Sequence, residues 1–131
     1  MRREARELAL QILFQTEFNS PVSTTDILGL FEEHVSKDIV SYAETLINGI
    51  QKNKEKLDGI IQSVSQHWKV SRMSLVDRNI LRIAVFEMKF SSDVIKPNIA
   101  INEAVDIAKK YGSTESGSFV NGVLDQVSRG L

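Results

Sequence analysis

The chain has 131 residues, 42% of them apolar and 25% charged, with a formal net charge of −1. That is enough chain for one hydrophobic core, and too balanced a charge for a protein that coats polyanions indiscriminately. It contains no cysteine, which excludes disulfide scaffolds, thiolate zinc sites and thiol catalysis. No apolar run approaches the roughly 18 residues of a membrane span, and the charged opening is unlike a secretory signal. A single domain over residues 1–131 in the cytoplasm is expected.

Period-two alternation is nearly absent and apolar residues recur at helical spacing, so the chain reads as all-α. From about Arg3 to Phe18, Ala5, Leu8, Ala9, Ile12 and Leu13 form one stripe, closed by Asn19, Ser20 and Pro21. A short helix is expected from about Thr25 to Glu33. A third, roughly Asp38 to Asn53, carries Ile39, Ala43, Leu46, Ile47 and Ile50. A fourth carries Leu57, Ile60, Ile61 and Val64 and ends near Trp68. Ser74 and Asp77 have the spacing of a capping pair for a fifth helix. That helix is apolar almost all round, from Leu75 and Val76 to Phe86 and Met88, and such a helix belongs at the centre of a fold. Pro97 opens a sixth, with Ile101, Ala104, Val105, Ala108 and Tyr111 on one face and Gly112 as its stop. A seventh starts near Glu115 and carries Phe119, Val120, Val123, Leu124 and Val127. Gly122 lies inside it, where glycine costs up to about 1 kcal/mol against alanine, so close approach of a neighbouring helix is expected there. The fold class is therefore a compact bundle of about seven orthogonally packed helices.

Enzyme chemistry finds little footing. His34 and His67 are isolated, without the neighbouring histidines or cysteines of metal sites. No strand carries a glycine-rich phosphate loop, and no serine sits in a nucleophile elbow. No cofactor and no catalytic residue is expected. Three features point instead to an anionic polymer. Arg2, Arg3 and Arg6 occupy the first turns of the first helix, where the helix dipole already disfavours cations; they read either as a solvated, frayed end or as a site where an anion neutralises them. From Lys69 to Arg82, four cations against Asp77 leave a local charge of +3, with Arg78 and Arg82 one turn apart. Arg82 lies in the apolar run ILRIAVF, where it is read as structural, paired with a buried carboxylate or with backbone carbonyls, a contact with RNA being the alternative. Phe119 follows a polar turn, where a ring serves either core packing or the stacking of splayed bases.

The ordered set MRREARELALQILFQ, DRNILRIAVFEMKF and PNIAINEAVDIAKKYGSTESGSFVNGVLD resembles the NusB family of bacterial transcription antitermination proteins over nearly the whole chain. The resemblance implies a factor that binds boxA, a short single-stranded RNA element of nascent ribosomal transcripts, as a heterodimer with NusE, a small-subunit ribosomal protein. It implies further assembly with other Nus factors on RNA polymerase. By motif, Arg2, Arg3 and Arg6 match the arginine-rich opening, interrupted here by Glu4. Asp77, Glu115 and Phe119 match positions near the RNA. Phe14 matches a position usually held by tyrosine, and lacks the hydroxyl. With Arg78 these form the candidate RNA-binding set; for Asp77 and Glu115 a helix-capping role is the alternative.

Three rivals are weighed. A helix-turn-helix DNA reader would place Ser116 to Val127 in the major groove, but that segment has no Lys or Arg. A protein-binding helical adaptor would use the same surfaces without RNA. A NusB-like module joined to an RNA methyltransferase would bring an α/β region that these 131 residues lack, so a free-standing factor is expected.

Overall fold

The computed structural model describes residues 2–18, 28–29 and 34–130. Among these are five α-helices and no strand: α1 (Arg2–Phe18), α2 (Lys37–Ser63), α3 (Leu75–Val85), α4 (Pro97–Tyr111) and α5 (Ser116–Arg129). The expected count of about seven is not matched, for two reasons. The short helix expected from Thr25 to Glu33 falls mostly outside the described residues; Leu28 and Gly29 are helical, and Leu28 is buried. The expected third and fourth helices are one, kinked at Asn53 (φ −111°, ψ 16°). There the Asn53 side-chain amide donates to the Gly49 carbonyl at 2.8 Å, so a side chain takes an acceptor of the helical ladder and the axis bends without ending. The helix then stops at Ser63, short of Trp68.

α3 is the hub, packed against all four other helices. Residues 79–88 are buried without a break. Its end widens into a π-helical turn, Phe86–Phe90, where the Ser91 N–H donates to the Phe86 carbonyl at 2.9 Å. Phe86 lies so close on α2 that a Cβ at Gly49 would collide with its ring. Glycine there brings the two elements into contact.

Continuous burial also brings polar groups inside, and each is answered by a partner. Arg82 donates from Nε and Nη2 to the two oxygens of Asp58 at 2.7 and 2.9 Å, and from Nη1 to Glu17 at 2.8 Å. Of the structural roles expected for it, this is pairing with carboxylates, here partly buried ones. Burial alone would raise the Glu17 pKa; hydrogen bonds from Arg82 and Asn79 outweigh it and hold the carboxyl below its ordinary range.

Gly112 stops α4, as expected, and does so in extended backbone (φ −94°). It is needed for space, because a Cβ would run into the Ser116 side chain. Ser116, 2% exposed, accepts from the Ser113 N–H at 2.9 Å and shapes the α4–α5 turn. Gly122 is exposed, and a Cβ there would meet nothing within 4 Å. Among the described residues no helix approaches it closely, contrary to the expectation.

Candidate nucleic-acid interface

The three N-terminal arginines do not form one cationic patch. Arg2 is exposed, lies 4.7 Å above the Tyr42 ring and makes a 3.2 Å ion pair with the exposed Asp93. Arg3 grips both Glu103 oxygens, at 2.8 and 2.6 Å, and reaches Asp106 at 2.9 Å. The Glu103 hydrogen bond comes first among the causes that raise the Arg3 pKa, and Arg3 in turn holds the Glu103 carboxyl low.

Arg6 must be corrected. It is 4% exposed, and its Nε donates to both oxygens of Glu87 at 2.8 and 3.0 Å, while Nη1 donates to Glu103 at 2.9 Å. The Tyr42 hydroxyl donates to the second Glu87 oxygen. Burial by itself would lower the Arg6 pKa, but the bonds and charge of Glu87 raise it above the ordinary value. Burial and Glu87 together push the Tyr42 phenol up. A guanidinium so enclosed is a structural ion, with no edge left for phosphate. Glu87 sits in the wide turn that closes α3, and nothing local in EMKF marks it as an internal anchor.

Phe119 stands apart from these arginines. Arg3 is tied to Glu103, and from Glu103 to the turn after Tyr111 is about 12–14 Å along α4. The candidate arginines and the ring are therefore divided and form no single platform. Glu7 bridges the interval: it accepts from Lys110 at 2.8 Å and from the Tyr111 hydroxyl. The Lys109 stem covers Gly117.

At the turn itself, Asp77, Glu115 and Phe119 come together in an open cleft of about 200 Å³ with Trp68, Arg72 and Ser116. Phe119 is partly buried, its ring edge-on to Trp68 with centroids 6.4 Å apart at 79°. Ser74 caps α3 by accepting from the Asp77 N–H at 3.0 Å, yet Asp77 Oδ1 is buried without a hydrogen-bond partner among the described residues. Its carboxylate does not complete the capping box. Glu115 occupies the N-cap position of α5 but makes no side-chain cap bond there, so capping does not account for its carboxylate. The two carboxylates and the ring share one concavity.

Arg78 turns elsewhere. Its Nη1 donates to the Ser71 carbonyl at 3.2 Å and its Nε lies 3.7 Å from Glu17, with the side chain 19% exposed. With Arg82 inside as well, the exposed cations of the second basic stretch are Lys69 and Arg72. Phe14 lines a separate, more apolar cleft of about 350 Å³ with Leu10, Gln11, Gln15, Val76 and Tyr111. The two clefts flank the first turn of α3, one reached by Val76 and the other by Asp77. Trp68 and Arg72 were not singled out by periodicity. The signal that could have found them is a lone tryptophan between basic residues in QHWKVSR, outside any apolar stripe.

These features define a helical protein with an aromatic cleft edged by carboxylates and fringed by cations. The NusB family model matches residues 3–129. The transcription antitermination protein NusB of Bdellovibrio bacteriovorus is 59% identical over 128 residues, covering 98% of this chain and 95% of that protein. Among solved structures, T. maritima NusB is 38% identical with a TM-score of 0.89, over 98% of this chain and 91% of that one. A structure of the antitermination factors NusB and NusE in complex with double-stranded RNA contains a chain 30% identical with a TM-score of 0.83, over 99% and 97%. The chain belongs to the NusB family.

Proposed function

We propose that this protein is a cytoplasmic transcription antitermination factor, without enzymatic activity, that binds boxA-type single-stranded RNA of nascent ribosomal transcripts together with NusE. The pair then joins other Nus factors on RNA polymerase. Family membership supports the reading, and so does a relative captured with NusE and RNA. The observation that carries it in this chain is the cleft in which Phe119, Asp77 and Glu115 converge. A ring stacks an unstacked base, and carboxylates accept from base amino groups while repelling phosphate. The backbone of the RNA is thereby directed outward to the exposed cations by the cleft, Arg72 and Lys69, with Arg2 and Arg3 farther along the same protein surface available to a longer stretch of strand. The near-neutral charge of the whole makes a second binding surface necessary, and NusE supplies it.

The test is a titration of labelled boxA RNA, with and without NusE, against a scrambled RNA. Preference for boxA, strengthened by NusE, is expected. Three to five phosphate contacts predict a log–log salt slope of about −2 to −3.5 for a single strand. A slope near zero refutes the cationic fringe. Binding of NusE that is indifferent to RNA favours the adaptor reading.

A further inference from the structure

Trp68 is the only tryptophan of the chain and, at 61%, the most exposed large apolar side chain among the described residues. Single apolar side chains on a surface are ordinary. What distinguishes this one is how firmly it is held. Gln62, at the end of α2, donates from its amide nitrogen to the Ser65 carbonyl at 3.1 Å and to the Trp68 carbonyl at 2.9 Å. The same amide accepts from the Val70 N–H at 2.9 Å. The Trp68 N–H also closes a turn onto the Ser65 carbonyl at 3.1 Å. A loop that could have folded its indole away is instead pinned on both sides of it. The indole N–H makes no hydrogen bond among the described residues, and the ring stands edge-to-face with Phe119 in the cleft.

We propose that Trp68 is a second base-stacking residue of the RNA cleft, and that Arg72 beside it contacts the adjoining phosphate. The inference rests on the RNA reading above and extends it to positions that the motif comparison did not supply. Two rings at 79° cannot both lie flat on one base. Consecutive bases splayed around a corner fit them, one on each ring. Asp77, partly buried, and Glu115, exposed, both line the cleft, which suits base edges that carry amino groups. Arg72 and Lys69 lie on the exposed side of the same cleft and its approach, which suits the backbone.

The experiment uses the full chain with NusE and boxA RNA, read by anisotropy of labelled RNA and by tryptophan emission with unlabelled RNA. Trp68→Phe supplies the blank for NusE. The Trp68 emission should change in step with anisotropy. Trp68→Ala should weaken binding on the order of tenfold while Trp68→Phe keeps most of it. Arg72→Gln should flatten the salt slope by about 0.7. Wild-type binding that leaves the emission unaltered, or Trp68→Ala binding as tightly as wild type, overturns this inference alone. Failure of the wild type to bind boxA RNA even with NusE overturns it together with the proposed function.

Discussion

Replacing Arg6 by alanine separates its structural role from an RNA-binding one. Glu87 is 1% exposed, and without Arg6 it keeps only the Tyr42 hydroxyl; Glu103 loses one of its two arginines. Removing one partner of a buried ion pair strands the other charge at a cost of about 3–5 kcal/mol. A domain of this size has about 5–15 kcal/mol in total. At about 3–5 °C per kcal/mol, interpolated for 131 residues, the melting temperature should fall by roughly 9–25 °C. Arg2→Gln is the control. Its guanidinium pairs with the exposed Asp93, and such surface pairs contribute only about 0–1 kcal/mol. Arg6→Met combined with Glu87→Met should recover much of the loss, because neither charge is then left buried. The assay is thermal unfolding followed by circular dichroism, beside RNA binding at a temperature where each variant is folded. An Arg6→Ala protein melting within about 2 °C of wild type, with RNA binding lost, would refute the reasoning and return Arg6 to the RNA surface.

Gly122→Ala should stabilise by up to about 1 kcal/mol in urea unfolding, since the added methyl meets nothing within 4 Å and helix propensity rises. Gly49→Ala should destabilise by about 1–3 kcal/mol through the Phe86 ring, and unchanged stability would mean that α2 and the π turn move apart freely. Glu7, Glu17 and Glu103 all have folded pKa values held below the ordinary carboxylate value, so the stability they contribute is complete above about pH 4.5 and is lost as pH falls through the lower folded values. Unfolding followed against pH should show this loss on the acid side, shallower in Glu103→Gln; equal acid sensitivity in that variant would count against the Arg3–Glu103 linkage.

The helical class, the central place of α3 and the burial of Arg82 were legible in the chain. Each follows from local spacing: apolar residues all round one helix leave it nowhere but the interior, and an arginine among them needs a carboxylate or backbone carbonyls, a choice that only packing made. Helix number was less legible. Asn53 bends α2 through a bond to its own backbone, and side-chain competition of that kind does not show in apolar periodicity. Gly122 also misled, because a glycine inside a helix pattern is compatible with close packing or with open space alike.

By itself, the order of amphipathic segments and motifs determined the family and pointed to Asp77, Glu115 and Phe119, because both are encoded along the chain; it did not point to Trp68. Only the tertiary structure decided which of three neighbouring arginines faces solvent. That choice depends on Glu87 and Glu103, 81 and 97 residues beyond Arg6. Folding sets them against one turn of α1, while Gln62 and Phe119 fix an exposed indole beside the carboxylates. A charge in a sequence is only a capacity to pair; whether it pairs inside the protein or remains for a ligand is settled by which opposite charges packing brings within about 3 Å.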